Sequence, residues 1–374
     1  MTEPSLQQWL QLYFQEALPP RLLDGLVLHF GCAARVLSAP DAELRAYGLR
    51  AAQIDGLHRS AGSETVRHSV DQALAWGRGA EQYIIVRTDP RYPPLLKEIH
   101  DPPLLLFVVG QPEVLLRPQV AIVGSRRCSV DGRRNTHSLA RGLVAQGFSI
   151  CSGLARGIDG AAHEAALEAA GVTVAVMGTG ADQVYPLQHR NLACAIRTTG
   201  ALVSELPLGS GAIASHFPKR NRIISGMSLG LVVVEAAPKS GTLISARLAM
   251  EQNRELFAVP GSIRNPLALG PHRLIQQGAH LIDCPEQIAE HLQGLLGYQL
   301  ALLKGIAAKT EELEPPAILP PDQVSLLEAM GFDPVSVETL VERTALPLNT
   351  VQTTLLNLEL QGVVRMEAGH YVLS

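Results

Sequence analysis

The feature that most constrains the fold of this chain is an alternation of strand and helix patterns between residues 82 and 259. Short runs rich in Val and Ile alternate with segments of helical periodicity. These runs are apolar throughout, which is typical of strands that are covered on both faces. The alternation predicts an α/β fold in which helices pack on both sides of a parallel sheet.

One strand end carries the strongest indication of a binding site. A buried-strand pattern ends at Gly124, which is followed by a serine and two arginines, and a helix is predicted from Val130. Ligands of open α/β sheets bind beyond the carboxyl ends of the strands, and the amides of a helix N-terminus favour anions. We predict a phosphate site here, the alternative being a tight turn with surface arginines. The dinucleotide fingerprint GxGxxG is absent from this position.

Four later segments place similar residues beyond predicted strands. Ser152–Gly160 contains glycines and an arginine, and Tyr185–Asn191 offers a tyrosine, a histidine and an arginine to a nucleotide, or else holds a buried ring. Ser215–Gly226 has three cations within four positions beside a phenylalanine, near the start of a predicted helix. Cations there oppose the helix dipole, a conflict typical of functional sites, unless the face is merely solvated. Pro238–Thr242 again offers amides and a hydroxyl to an anion.

Charge and cysteine usage limit the class of protein. The net charge is −4, so a nucleic-acid site must be local, and residues 119–156 hold six arginines and one acid. The five cysteines are scattered without CxxC spacing, which favours a reducing compartment. Neither a signal peptide nor an apolar run of about 20 residues is visible. We therefore predict a cytoplasmic protein with no membrane partner.

The sequence shows no catalytic constellation. His163 lies on a predicted helix without a nucleophile in its vicinity, so a structural role is expected for it. Phosphoribohydrolases of related architecture carry PGGxGTxxE, whose glutamate performs the chemistry. Gly241 and Thr242 match that pattern, but Ser245 stands where the glutamate would be. We predict a protein that is not an enzyme and has no catalytic residue, metal site or cofactor. Nucleotide or phosphoribosyl hydrolysis is the alternative, and small-nucleotide sensing is a third class.

Composition and periodicity also divide the chain into four parts. Residues 1–80 are predicted to be a helical domain similar to SAM or helix-hairpin-helix modules, which either contacts DNA or serves as a plain helical cap. An α/β domain follows over 81–298, then a polar, proline-rich linker over 299–317. Residues 318–374 read as a winged helix-turn-helix, with helices over 322–330, 337–343 and 348–361 and a hairpin over 363–373. Its third helix, 348–361, lacks Lys and Arg, which favours a protein contact over duplex DNA.

Several of these motifs, in this order, resemble those of the bacterial DNA-processing protein A family (DprA, also called Smf). The matching segments span about residues 80–285 and are Arg91–Leu96, Ile122–Arg126, Ser152–Asp159, Tyr185–Pro186, His216–Gly226, Glu235 with Ser240–Thr242, and Val259–Gly261. One position departs from the family pattern: His272 stands where the family often has Asn, and this leaves the role of that side chain open.

The resemblance implies an extended Rossmann-like fold that binds single-stranded DNA without reading its sequence. It also implies a homodimer, with Leu274 and Ile275 as candidate interface positions, and an absence of catalysis and cofactors. By resemblance the protein protects incoming DNA and loads RecA recombinase onto it during natural transformation and recombination. The predicted DNA-binding residues are Gly124, Ser125, Arg126, Arg127, Arg156, Tyr185, His189, Phe217, Lys219, Arg220, Asn221, Arg222, Lys239, Ser240, Gly241 and Thr242.

Overall fold

A computed structural model describes the protein over residues 3–15, 17–311, 326, 329–330, 335–344, 346–360, 364–367 and 370–373. The chain divides into two compact units, residues 1–304 and residues 305–374. Each unit has an apolar core of its own.

Six helices open the first unit, and proline, glycine and serine set several of their ends. Pro20 begins the second helix, and Gly31 ends it in the left-handed conformation. Ser63 Oγ accepts the Val66 amide at the start of the sixth helix. The helices are α1 Glu3–Phe14, α2 Pro20–Phe30, α3 Ala33–Ser38, α4 Asp41–Tyr47, α5 Ala51–Ala61 and α6 Glu64–Gly77.

These helices share one apolar core with the edge of the sheet. Trp9 and Leu57 are buried in the same cluster as Val86 and Phe107 of the first two strands. Burial of large apolar side chains is the main favourable term in folding, so this shared core holds the helices against the sheet. The segment that we predicted as a separate helical domain, 1–80, therefore packs as part of a larger unit.

A nine-stranded sheet forms the centre of the first unit. Its strands are β1 Gln82–Val86, β2 Leu105–Gly110, β3 Gln119–Val123, β4 Ser149–Ser152, β5 Thr173–Val176, β6 Ala201–Ser204, β7 Gly230–Val233, β8 Glu255–Ala258 and β9 His280–Leu281. They lie in the order β1-β2-β6-β5-β4-β3-β7-β8-β9, and of these nine only β2 runs against the others. The mostly parallel sheet confirms the predicted α/β fold.

Helices cover both faces of this sheet, as the apolar strands predicted. They are α7 Pro94–Lys97, α8 Val130–Ala145, α9 Ile158–Glu168, α10 Arg190–Thr199, α11 His216–Met227, α12 Thr242–Glu251, α13 Leu269–Gln276 and α14 Pro285–Glu311. Successive residues of β3 point to opposite faces. Ala121 belongs to the same apolar core as Ile224 of α11, whereas Ile122 belongs to a second core with Leu143 of α8.

The strand order reverses at β3. From β3 the chain adds β4, β5 and β6 on one side, and it then returns to add β7, β8 and β9 on the other side. A crevice is therefore expected beyond the carboxyl ends of β3 and β7, where open α/β sheets hold their ligands.

Helix α14 differs from the sequence prediction. We predicted linker from residue 299, but the helix continues to Glu311. Gln299 is buried and its side-chain amide donates to Leu116 O, and Leu302 packs against the second core of the sheet. The prolines that suggested a linker begin only at Pro315, so nothing in the sequence interrupts the helix earlier.

The second unit contains helices α15 Val337–Thr344 and α16 Leu348–Leu360, and strands β10 Val364–Glu367 and β11 His370–Leu373. The two strands pair antiparallel, which confirms the predicted hairpin. Leu340, Leu355 and Tyr371 belong to its buried core. A further predicted helix, 322–330, falls mostly outside the described residues. Across the part of the chain that is described, each helix is too short or too polar to span a bilayer.

Candidate nucleic-acid interface

A cavity of about 670 Å³ opens where β3 and β7 end. It is bordered by the loop after β3, by the N-terminal part of α11 and by the start of α12. The predicted residues that line it are Gly124, Ser125, Arg126, Tyr185, Phe217, Arg220, Asn221, Ser240, Gly241 and Thr242. The strand ends that the sequence singled out are thus brought together at one place.

An aromatic ring and a cation lie side by side in this cavity. The Arg126 guanidinium is exposed and lies 5.3 Å from the centroid of the Phe217 ring. The Tyr185 ring lies 5.8 Å from that of Phe217, and Tyr185 is 48% exposed. A Cβ at Gly178 would come within 2.7 Å of the Phe217 ring, so the ring rests directly on a glycine. The arrangement offers two π faces and a positive charge to a ligand.

Hydrogen bonds fix the loops around the cavity. The Thr242 hydroxyl donates to Gly124 O at 3.2 Å, and this bond ties the start of α12 to the end of β3. Ser240 Oγ accepts the Thr242 amide, and Ser125 Oγ accepts the Arg127 amide. The Ile158 amide donates to Ser125 O, which joins α9 to the same loop. The walls are therefore formed before any ligand binds.

Two buried side chains of opposite charge, Arg220 and Asp159, lie in the wall of the cavity. Arg220 is 6% exposed, and its guanidinium donates to Val176 O. Asp159 is also buried and accepts the amides of Gly153 and Ala155. Burial raises the pKa of Asp159, while Arg220 opposes that shift. Burial likewise lowers the pKa of Arg220, which Asp159 opposes. Arg220 thus supports the site from below and is not an open cation.

Two predicted cations of α11 lie away from the cavity. Helical periodicity turns Phe217, Arg220 and Asn221 toward it, which places Lys219 and Arg222 on the other side. Lys219 is exposed there. Arg222 is mostly buried and forms ion pairs with Asp101 and Glu205. Contrary to our prediction, Arg222 is neutralised by its own chain and is not available to a ligand.

Four other predicted residues do not line the cavity. The structure ties His189 to the neighbouring loop, because its Nδ1 lies 2.9 Å from Leu154 O and its ring packs over Gly160. The remaining three are exposed cations, each next in the chain to a lining residue. They are Arg127, Arg156 and Lys239.

We predicted that the N-terminus of α8 would face an anionic ligand, but a carboxylate of the protein itself occupies this helix end. The carboxylate of Glu235, just beyond β7, accepts the Ser129 amide at 2.8 Å and the Ser129 hydroxyl at 2.6 Å. Asn265 Nδ2 donates to the same carboxylate, and Glu235 is 5% exposed. An internal anion thus satisfies this helix end, and α12 provides the helix N-terminus at the cavity.

Sequence reasoning missed part of the wall. Ala212 and Ala214 line the cavity from the loop that follows β6. This loop, 205–215, is rich in Gly and Ser and also lies beyond a parallel strand, so its position could have indicated it.

Three further residues have positions that bear on the predictions. His163 is fully buried, and its Nδ1 lies 2.6 Å from Thr173 Oγ1, in keeping with a structural role. His272 Nε2 lies 3.0 Å from Gly261 O and joins α13 to the segment after β8. Leu274 is buried in the core, so it does not offer the dimer contact that the resemblance implied.

Comparison with known proteins relates most of the chain to the family that its motifs resemble. Residues 83–293 match the family described as DNA recombination-mediator protein A, and residues 310–370 match the DprA winged helix domain. Protein Smf of Escherichia coli (strain K12) is 42% identical over 307 residues, which cover 82% of this chain and 81% of that protein. DNA processing protein DprA of Streptococcus pneumoniae (strain ATCC BAA-255 / R6) is 45% identical over 200 residues, 54% of this chain and 71% of that protein.

Two solved structures are similar in fold and sequence. The X-ray structure of DNA processing protein A from Streptococcus pneumoniae has a TM-score of 0.60 and 35% identity, and the match covers 75% of this chain and 95% of that one. A structure of DNA processing protein A from Helicobacter pylori, described for its single-stranded DNA binding mode, has a TM-score of 0.50 and 31% identity. That match covers 55% of this chain and 93% of the other.

Proposed function

The chain belongs to the DNA recombination-mediator protein A family, and from that premise we propose that it binds single-stranded DNA without reading its sequence. The strand lies in the cavity at the ends of β3 and β7. One observation supports this most directly: Arg126 and Phe217 lie 5.3 Å apart in an open cavity, with Tyr185 beside them. A cation for a phosphate and rings for unpaired bases are the two elements of non-specific single-strand binding.

Each wall of the cavity has a part in this proposal. Arg126 holds a phosphate, and the amides at the start of α12, around Gly241, hold another. Phe217 and Tyr185 stack on bases, which contributes about 1–3 kcal/mol per base and tolerates every sequence, because all bases present a π face. The exposed cations beside the cavity attract the strand at longer range.

The proposal is tested by titrating labelled oligo-dT with the full-length protein and following fluorescence anisotropy. Arg126→Ala removes a charge-assisted phosphate contact, for which we expect a loss of affinity of about tenfold or more. Arg21→Ala, an exposed arginine of α2 outside the cavity, is the matched control and keeps wild-type affinity. An oligonucleotide of mixed sequence binds like oligo-dT. Equal affinities of the Arg126 variant and the wild type would exclude this site.

The protein in this proposal is not an enzyme. Ser245 is buried in the cavity wall at the position where related hydrolases carry a glutamate. Among the described residues of the wall, Asp159 has the one carboxylate, and backbone amides already engage it. The described part of the chain contains no group of three or more His, Cys, Asp or Glu placed to hold a metal ion. Release of base or phosphate from nucleoside monophosphates would support the hydrolase alternative instead.

We further propose that the protein acts in the cytoplasm as a homodimer that protects incoming single strands and loads RecA recombinase onto them. Family membership and the names of the DNA-processing relatives support this role. The test is RecA-dependent strand exchange on DNA covered by a single-strand-binding protein. We expect stimulation by the wild type and none by Arg126→Ala, together with a dimeric mass in analytical ultracentrifugation. A wild type that fails to stimulate exchange would contradict the loading role.

A further inference from the structure

A second cavity, of about 620 Å³, lies beside the first and shares none of its lining residues. It is formed by Trp76 of α6, by one face of α10 and by the loop 181–187. Its volume is within the range of small-molecule sites, and much of its wall is apolar. Trp76 packs edge-on against Phe107, with ring centroids 5.5 Å apart, so its indole is held at the cavity by the core.

The loop between the two cavities exposes large apolar side chains. Tyr185 lines the first cavity, whereas Val184 and Leu187 line the second. Leu187 is 79% exposed and Tyr185 is 48% exposed. Adjacent apolar side chains that face solvent between two cavities mark a surface that a ligand covers.

This loop is held in place by the surrounding structure. The Thr179 hydroxyl donates to Gln183 O, and the Gly209 amide donates to the Asp182 carboxylate. At its other end, His189 is tied to Leu154 O. The apolar ridge is therefore preformed, and binding does not have to order it.

The second cavity also has an open cation. Two arginines of α10 line it, and Arg197 is paired with Glu81 at 2.9 Å. Arg190 is exposed and makes no ion pair within the described part of the chain. The Asp182 carboxylate, which also lines the cavity, is engaged by a backbone amide. A single free positive charge beside an indole and aliphatic side chains suits one nucleotide, with its phosphate on the cation and its base on the apolar wall.

We propose that the second cavity is a further nucleotide site on the same DNA strand. The strand leaves the first cavity over Tyr185 and Leu187, places its next phosphate at Arg190, and inserts a base beside Trp76. This inference rests on the proposed function, because it extends the first site. One loop lines both cavities, so a strand bound in the first continues into the second. For this reason we assign the second cavity to the same strand and not to a separate peptide or metabolite.

Oligonucleotide length separates the two sites. An oligo-dT of about four nucleotides fills the first cavity alone, while a longer one of about twelve reaches both. We expect Leu187→Ser with Arg190→Ala to bind the short oligonucleotide like the wild type and the long one about fivefold or more weakly. The matched control, Leu28→Ser with Arg21→Ala, removes an exposed leucine and arginine from α2 and changes neither affinity.

A cysteine in the second cavity gives an independent test. Cys194 lines this cavity and is the exposed thiol among the five, the others being buried or partly buried. Oligo-dT strands that carry a disulfide-capped thiol tether at successive nucleotides are incubated with the full-length protein, so that attack by the Cys194 thiolate joins it to the tether and releases the cap as a thiol. We expect a disulfide with Cys194 only for tethers a few nucleotides from the segment in the first cavity, and none in Cys194→Ser.

The outcomes distinguish this inference from the proposed function. If short and long strands bind the wild type, but the double variant keeps full affinity for both and no tether position reacts with Cys194, the second site is overturned and the first stands. If the wild type binds neither short nor long oligo-dT, the proposed function fails and the second site fails with it.

Discussion

At the scale of single residues, the surroundings of an arginine, and not its charge alone, decide whether it is available to a ligand. Arg126 and Arg222 belong to the same predicted set, yet Arg126 is exposed beside Phe217 and Arg222 is enclosed by two carboxylates. The two carboxylates, Asp101 and Glu205, lie outside the helix that carries Arg222, so helical periodicity could not reveal the pairing. Which arginine of a basic segment meets the ligand is decided by partners that only the fold brings near.

The two arginines should therefore affect different properties of the protein, Arg126 the affinity for DNA and Arg222 the stability of the fold. Arg222→Ala leaves Glu205 partly buried and unpaired, so we expect the free energy of unfolding to fall by about 3 kcal/mol. Its loss of oligo-dT affinity should be small at temperatures where the variant remains folded. Urea unfolding and anisotropy measure the two quantities. Adding Glu205→Gln should restore part of the stability, and the pairing would be refuted if Arg222→Ala unfolded like the wild type.

Gly178 has a role that only the ring next to it explains. A Cβ at this position would lie 2.7 Å from Phe217, so Gly178→Ala displaces the aromatic platform. We expect oligo-dT affinity to fall about fivefold or more, as the stacking contribution is lost, while the fold is kept. Gly297→Ala is the matched control, because a Cβ there meets no atom within 4 Å. If the two variants bound DNA equally well, the platform would have no part in binding.

At the scale of elements, periodicity predicted most of what the structure contains. The strands of the parallel sheet and the helices between them follow from local apolar patterns, and the strand ends meet because parallel strands point the same way. Such patterns do not predict contacts between residues that are distant in the sequence. The α8 N-terminus is one case, since its partner Glu235 lies beyond a different strand. Helix α14 is another, because contacts with Leu116 and the second core prolong it.

The contact between His163 of α9 and Thr173 of β5 makes the stability of the protein depend on pH. Thr173 Oγ1 donates to Ile150 O, so His163 Nδ1 donates to Thr173 Oγ1. His163 Nε2 is buried without a hydrogen-bond partner among the described residues, which favours the neutral ring. Burial lowers the pKa of His163 to about 3. Between this value and the usual one near 6.5, the unfolded chain binds a proton that the folded chain does not. Stability contributed by the neutral ring is therefore present above pH 6.5 and lost as the pH falls.

We expect urea unfolding to show a smaller free energy of unfolding at pH 5 than at pH 7, with part of the decrease removed in His163→Gln. The variant is itself less stable at pH 7, because the buried contact with Thr173 is weakened. The comparison therefore concerns the pH dependence and not the absolute stability. A wild type and a variant that lose equal free energy between the two pH values would contradict the assignment to His163.

At the scale of the whole molecule, a negative chain binds a polyanion through a small set of local cations. The net charge is −4. Arg126 is an exposed cation of the cavity wall, and Arg127, Arg156 and Lys239 are exposed beside lining residues, whereas α11 turns the exposed Lys219 away from the cavity. Four phosphate contacts at this cavity contribute about −3 to the slope of log affinity against log salt concentration. The protein's overall charge adds nothing to this attraction, so affinity should fall steeply as salt screens the local cations.

The triple variant Arg127→Ala, Arg156→Ala and Lys239→Ala tests this account. All three side chains are exposed and none of them lines the cavity, so their removal leaves the cavity wall unchanged. Removing three contacts should make the slope shallower by about 2. Anisotropy titrations of oligo-dT between low and moderate salt measure the slope, and Arg21→Ala, which removes one exposed charge outside the cavity, is the control. Binding releases fewer counterions for each phosphate contact that is lost, so the slope must become shallower if these cations contact the strand. A slope that stays at the wild-type value would mean that the strand contacts cations elsewhere on the molecule.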